Sequence, residues 1–218
     1  MSKPVDNLET IHTPITIKER PILFSGPMVR AILEGRKTQT RRLVKHPEYY
    51  GCPTGDCPHE TQRQCDEAMN SLNVICDCHF GQPGDRLWVR ESVGRRPASF
   101  LGITATNGVE QAFYAADGEN VVGYGMFDLC PWWQRKTLPA IHMPRWASRI
   151  TLEITGVQVE RVQDICDGDV MREGVTPLSP FGELQDAYAT LWDSINGKGS
   201  WDANPWVWVI SFKRVEGK

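Results

Sequence analysis

The sequence predicts an α+β fold, in which a mostly antiparallel β-barrel carries helices at its periphery. Residues 148–162 alternate apolar and polar side chains with the two-residue period of a half-buried strand, and in 206–215 one side is expected to carry Trp206, Trp208, Ile210 and Phe212. Apolar residues with helical spacing occur between strand-like segments, but the two types do not alternate as in a parallel βαβ sheet. Strands therefore dominate the predicted architecture, and the helices are expected outside it.

The first elements follow a polar segment at 1–20, which is interpreted as an N-terminal tail. A short apolar run at 21–24 predicts the first strand. A helix is predicted next, because Pro27 suits the first helical position. Gly35 suits the left-handed residue that ends a helix, and a second strand is expected at 43–44.

The middle of the chain is predicted to hold two insertions. Residues 46–83 are rich in Cys, Pro, Gly and Asp. A turn at 82–85 leads into an alternating strand at 86–91. Residues 92–140 are expected to be rich in loops, with a strand at 111–115.

The last third of the chain combines the long strand with two helices. Gly156 interrupts the alternation of the strand, as a β-bulge does. A short helix is predicted at 167–173, closed by Gly174, and a longer helix begins near Pro180. The apolar face expected for the longer helix consists of Phe181, Leu184, Tyr188, Leu191, Trp192 and Ile195.

Composition limits the classes of function. The chain has 218 residues, of which 40% are hydrophobic, and a net charge of −3. We expect one domain at 21–215 and no bulk attraction to nucleic acid, so that any such contact needs a local basic patch. The sequence has no apolar run of membrane-spanning length and no signal-peptide pattern, which predicts a cytoplasmic protein without a membrane partner. Its oligomeric state stays open.

A candidate basic patch lies at 35–42, which reads GRKTQTRR. Arginine can bind phosphate through two hydrogen bonds, and lysine acts as a point charge. The alternative is a solvated basic turn, which is common for runs of charge.

This segment resembles the signature of the ASCH family, which has the form G-x-K-x-x-[ET]-x-R. Segments 84–91, 164–173 and 206–212 resemble further blocks of that family in the same order. The blocks GDRLWVRE and MPRWASR, at 84–91 and 143–149, are similar to those of ASCH proteins encoded by phages and prophages. The resemblance implies a PUA-like β-barrel and a protein that acts on RNA or a modified nucleoside.

Some ASCH proteins are amidohydrolases that remove the acetyl group from N4-acetylcytidine. The resemblance implies that Lys37, Thr40 and Glu173 are the catalytic residues. A lysine with a lowered pKa can act as a base, and the threonine can attack the acetyl carbonyl or hold a water that does. Glu173 could pass the proton to the leaving amine, or it could be an ordinary surface residue of a helix. The two insertions depart from the compact members of the family.

The alternatives to an amidohydrolase are a non-catalytic RNA-binding module, a ribonuclease and a phage structural or assembly protein. Arginine next to an aromatic ring can hold a phosphate and stack a base. For Trp146 a place in the core is equally compatible with the sequence. The candidate residues for binding RNA or substrate are Gly35, Arg36, Arg41, Arg42, Trp88, Arg90, Arg145, Trp146 and Arg149.

A structural zinc site is predicted in the first insertion, which contains five of the seven cysteines. Zinc in structural sites takes four Cys or His ligands, and a segment with so few apolar residues needs such support. The favoured ligands are Cys52, Cys57, Cys65 and Cys78, with His59, Cys76 and His79 as substitutes. The alternative is a set of free thiols. No organic cofactor is expected.

Overall fold

The structure, a computed structural model, describes residues 16–45, 69, 72–96, 111–125, 135–176 and 183–215. The strands in chain order are β1 (Glu19–Leu23), β2 (Gln39–Leu43), β3 (Arg86–Arg90), β4 (Val93–Arg96), β5 (Gln111–Tyr114), β6 (Asn120–Gly125), β7 (Thr137–Leu138), β8 (Thr151–Arg161) and β9 (Trp206–Val215). The α-helices are α1 (Gly26–Leu33), α2 (Leu72–Cys76), α3 (Asp167–Arg172) and α4 (Leu184–Asn196). None of the described helices is long and apolar enough to cross a membrane.

The described strands form two sheets. The larger has the order β1-β3-β8-β9-β2, and the smaller has the order β6-β5-β4-β7. All neighbours are antiparallel except β1 and β3, which are parallel. The α+β class is therefore confirmed. Among the described strands the larger sheet is not closed into a barrel, because β1 and β2 lie at its opposite edges.

The long pair β8 and β9 forms the centre of the larger sheet. The pairing register shifts between Ile154 and Gly156, so the predicted bulge at Gly156 is confirmed. The predicted final strand has the bounds of β9, and β8 is shorter than the predicted 148–162. An extra residue at a bulge increases the local twist of the strand.

Strand β9 separates two apolar clusters. Trp206, Trp208, Ile210 and Phe212 pack into a core that includes α1, whereas its alternate residues pack against α3 and α4. Burial on both faces explains why this segment has an almost continuous apolar sequence. The predicted burial of Trp192, Trp206 and Trp208 is confirmed.

The predicted apolar face of α4 is present among the described residues, and Phe181 lies outside them. Ile195 is 55% exposed, because it lies in the last turn of the helix, where it lines a cavity on the same face as Tyr188 and Trp192. Trp192 and Tyr188, one and two turns earlier, are buried against the sheet as expected.

The segment 92–140 contains more strands than the one predicted at 111–115. Besides β5, the segment contributes β4, β6 and β7, which together make the smaller sheet. These strands have two to six residues, and β4 and β6 contain glycine and few alternating apolar positions. Their pairing therefore depends on tertiary contacts that periodicity does not record.

Candidate functional site

The segment 35–42 consists of a turn followed by the first residues of strand β2. The chain leaves α1 through Gly35, whose φ of 75° confirms the predicted left-handed cap. The backbone N–H groups of Arg36 and Lys37 both donate to the carbonyl of Ala31, at 2.9 and 3.0 Å. These bonds turn the chain back toward the core, and β2 begins at Gln39, four residues before the strand predicted at 43–44.

Lys37 and Glu173, 136 positions apart in the chain, form a buried ion pair. The Lys37 Nζ donates to Glu173 Oε2 at 2.5 Å and to the Glu173 carbonyl at 2.8 Å. Glu173 follows the last residue of α3. Burial lowers the pKa of Lys37, and the charge of Glu173 opposes that shift. The carboxylate thus compensates part of the large cost of burying an ammonium.

Gly174 allows the close approach between this pair and α1. Its φ is 79°, and a Cβ placed on it would lie 2.8 Å from the Ala31 Cβ and 3.0 Å from the Lys37 Cβ. The backbone is held there because Thr38 N–H donates to the Arg172 carbonyl at 2.8 Å. A glycine is required at this position for two reasons, its backbone conformation and the space available.

We expect Gly174→Ala to destabilise the protein more than Gly35→Ala, which is a matched control. Both glycines have nearly the same positive φ, but nothing lies within 4 Å of a Cβ at Gly35. Gly35→Ala should lower the free energy of unfolding by about 1–2 kcal/mol because of backbone strain. Gly174→Ala should lower it by about 1–3 kcal/mol more because of overpacking. Urea denaturation of both variants measures the difference. Equal losses would contradict the close contact with Lys37.

Arg41 lies at the centre of a second group of charges. Its guanidinium contacts Glu160 at 2.6 Å, Asp169 at 3.1 Å and Glu173 at 3.4 Å, and its side chain is fully buried. Burial alone would lower the pKa of Arg41, but Glu160 and Glu173 raise it. Arg41 therefore joins β2, β8 and α3, and it holds one oxygen of Glu173.

Tyr188 is a site residue for which the sequence predicts only burial. Its hydroxyl donates to Glu173 Oε1 at 3.4 Å. Burial, and next the charge of Glu173, raise the pKa of Tyr188 well above 10.0, so the hydroxyl keeps its proton at neutral pH. The apolar period of α4 indicates an inward-facing residue there, but no signal in the sequence connects it to Glu173.

A cavity of about 250 Å³ opens beside these residues. Thr40 and Glu173 lie on its wall. Lys37 is not among the residues that line it, so its amine lies behind the carboxylate of Glu173. The structure thus brings the three predicted catalytic residues to one place, with different access to the cavity. Its other walls come from α1, β2, α4 and the end of the first insertion, and they include Met28, Arg42, Lys45, His79, Phe80, Tyr188, Leu191 and Trp192.

The five cations at 36–45 do not form a continuous surface patch. Lys37 and Arg41 are buried. Arg36 is exposed, and it is bound to Glu34 and to the Gly174 carbonyl. Arg42 donates to the Leu23 carbonyl at 2.6 Å. The expected basic patch is therefore divided between the interior, the surface and the wall of the cavity.

The second predicted binding group lies near the start of β8, and none of its members lines the cavity. Trp88 is 8% exposed, with the guanidinium carbons of Arg90 and Arg145 at 4.7 and 5.8 Å from its ring centre. Arg145 also contacts Glu19 at 3.1 Å. Trp146 is 47% exposed, so the interpretation of Trp146 as a core residue is wrong.

Arg149 is engaged by acidic residues and joins the two sheets. It contacts Glu91 at 2.9 Å, Asp117 at 2.7 Å and Glu119 at 2.8 Å. Its guanidinium carbon lies 3.9 Å from the ring centre of Tyr114. Burial raises the pKa of Glu91, and Arg149 opposes the shift. These partners leave Arg149 few donors for a phosphate.

The predicted zinc ligands fall mostly on residues that the structure does not describe. Cys52, Cys57 and Cys65 lie outside the described residues, as does the substitute His59. Cys78 is a buried free thiol in the larger apolar cluster, and burial raises its pKa. The zinc site stays a prediction, and metal analysis of the purified protein would test it.

The fold and the cavity define an α+β protein with a buried lysine–glutamate pair behind the wall of a small pocket. No family model, curated protein or solved structure matches this chain. The resemblance of segment 35–42 to the ASCH signature therefore stays a prediction.

Proposed function

We propose that this protein is an ASCH-type, PUA-like hydrolase that removes an acyl group from the base of a modified nucleoside, as in N4-acetylcytidine. The observation that carries the proposal is the ion pair of Lys37 with Glu173, placed next to Thr40 at a cavity. A titratable pair with perturbed surroundings in a concave site is a common mark of a catalytic centre.

In the proposed reaction, Glu173 and Thr40 act from the wall of the cavity. Glu173 takes a proton from a water molecule that Thr40 holds, and the water oxygen attacks the acetyl carbon. The C–N bond then breaks, the proton passes from Glu173 to the leaving amine, and acetate is released. Thr40 and Glu173 thus share the work of activating water, because both line the cavity.

Lys37 has a positioning role in this mechanism. Its amine donates to Oε2 and to the backbone carbonyl of Glu173. These two bonds fix the orientation of the carboxylate and therefore the direction of its second oxygen, Oε1. Arg41 and Tyr188 both contact that second oxygen, at 3.4 Å each. This arrangement favours Glu173 over Lys37 as the group that exchanges protons with the substrate.

The cavity suits a small ligand. Its volume of about 250 Å³ lies just below the range of roughly 300–1,000 Å³ that is common for ligand sites. Its lining combines aromatic and aliphatic side chains with a few polar groups, which fits a single base or nucleoside better than a folded RNA.

A non-catalytic RNA-binding module is the second candidate. It is favoured by the exposed Trp146 next to the partly exposed Arg145, since an exposed aromatic ring beside an arginine can stack an unpaired base. This surface does not include the residues of the cavity, so the two candidates predict effects at different residues.

The test uses two substrates, N4-acetylcytidine and RNA, and variants at two sites. The proposal expects acetate release from N4-acetylcytidine, and loss of that release in Lys37→Ala and Glu173→Ala at a temperature where circular dichroism shows both variants folded. RNA binding without turnover, weakened by Trp146→Ala, would support the second candidate. Cleavage of an RNA strand would indicate a ribonuclease. Inertness toward both substrates would contradict the assignment of this cavity.

A further inference from the structure

The charges around the cavity fall into two groups. In the inner group, the cations have acidic partners at close range. Lys37 is paired with Glu173, and Arg41 is paired with Glu160, Asp169 and Glu173. These cations have little capacity left for the charge of a ligand.

The outer group consists of two cations that have no close acidic partner in the part of the chain that the structure describes. Arg42 and Lys45 both line the cavity, and neither has a carboxylate within 4.0 Å among the described residues. The wall therefore carries two positive charges that a ligand can neutralise. Two such cations on the wall of one cavity favour a doubly charged anion over a neutral group.

Arg42 is held in place before any ligand binds. One nitrogen donates to the Leu23 carbonyl at 2.6 Å, and the guanidinium carbon lies 5.2 Å from the ring centre of Phe24. An arginine has five N–H donors, so others remain for an anion. Fixing the side chain in advance reduces the entropy that binding would cost.

The spacing along β2 relates this cation to the proposed reaction. Thr40 and Arg42 are two residues apart on the strand, so they face the same side at a separation of about 7 Å. A single nucleoside spans such a distance between its base and its sugar. A base that reaches Thr40 and Glu173 would leave its 5′ position near Arg42 and Lys45.

The end of the first insertion contributes two aromatic rings to the wall of the cavity. His79 and Phe80 line the cavity, with ring centres 4.0 Å apart. Aromatic rings such as these can stack on the base of a ligand.

We propose that the ligand is a pyrimidine nucleoside monophosphate, whose phosphate is bound by Arg42 and Lys45. This inference rests on the proposed function for the direction of the base, and it adds the requirement for a phosphate. Free nucleosides are then the weaker ligands of the cavity.

The test is equilibrium binding by titration calorimetry, with cytidine, cytidine 5′-monophosphate and inorganic phosphate as probes. We expect the monophosphate to bind the native chain at least tenfold more tightly than cytidine, which corresponds to one charge-assisted contact or more. Lys45→Gln should reduce this ratio by about fivefold or more, since Lys45 is exposed and its removal leaves the fold intact. Arg42→Gln should reduce it further.

Lys213→Gln is the matched control. Lys213 is exposed, pairs with Glu153 and does not line the cavity, so the ratio should not change. Equal affinity for cytidine and its monophosphate would overturn the inference, as would a ratio that Lys45→Gln and Arg42→Gln both leave unchanged. A short cytidine oligonucleotide that binds far more tightly than the monophosphate would overturn the assignment to a mononucleotide.

These binding measurements need no turnover, so the two proposals can fail separately. A preference for the monophosphate in a protein that releases no acetate would contradict the hydrolase proposal and leave the phosphate site standing. Acetate release with no preference for the monophosphate would contradict the phosphate site and leave the hydrolase proposal standing.

Discussion

Glu173→Leu is expected to lower the free energy of unfolding by about 3–5 kcal/mol, the usual cost of removing one partner of a buried ion pair. The cost arises because Lys37 has a fully buried side chain and keeps no other carboxylate within bonding distance among the described residues. Within the described part of the chain, its ammonium must then either stay buried with only the backbone carbonyl of residue 173 as a hydrogen-bond partner and no counter-charge, or lose its proton although the ordinary pKa of a lysine is near 10.4. Urea denaturation at pH 7 measures the loss.

The double variant Lys37→Met with Glu173→Leu is the control for this prediction. Replacing both members of a buried pair by apolar residues is often neutral or stabilising, so the double variant should recover most of the stability that Glu173→Leu loses. The fold would then be intact and the proposed hydrolysis absent. A double variant as unstable as Glu173→Leu would mean that the cost comes from lost packing, and that the two residues are not coupled.

Arg41→Met is expected to destabilise the protein by a similar amount, about 3–5 kcal/mol. Methionine retains most of the apolar stem, but the side chains of Glu160, Asp169 and Glu173 lose their common cation. The three carboxylates then repel one another in a region with little water. Thermal denaturation measures this loss, and the difference in melting temperature between the native chain and the variant should shrink as the pH falls toward the range in which carboxylates bind protons.

Two variants show whether the geometry of Arg41 matters as well as its charge. Arg41→Lys should recover only part of the stability, because an ammonium cannot reach three carboxylates with the planar fork of a guanidinium. Arg36→Met removes a charge five residues earlier on an exposed side chain, and its effect should be within about 0.5 kcal/mol. Equal effects of Arg36→Met and Arg41→Met would contradict the buried network.

Local sequence patterns predicted the parts of this fold that local physics determines. The cap at Gly35, the bulge at Gly156 and the bounds of β9 each follow from a period or a residue type that the backbone itself requires. The pairing of Lys37 with Glu173 could be expected only through the resemblance to a family, since 136 positions separate them.

Other features depend on tertiary contacts and leave no periodic signal. The smaller sheet is built from short strands with glycine and polar residues, so its pairing could not be predicted. Arg41 was expected at the surface with its neighbours, but the acidic residues that bury it come from β8 and α3. Tyr188 was predicted only as an apolar position, because a helical period does not reveal what its hydroxyl contacts.

Thr40→Val provides the most direct test of the central claim, that Thr40 and Glu173 form one hydrolytic site at the cavity. Valine has the shape of threonine without the hydroxyl, and the ion pair of Lys37 with Glu173 does not involve Thr40. The measurement is acetate release from N4-acetylcytidine and from its 5′-monophosphate by the native chain and by this variant. We expect release by the native chain and a fall of about 100-fold or more in Thr40→Val, with little change in melting temperature. No release by the native chain, or full release by Thr40→Val, would contradict it.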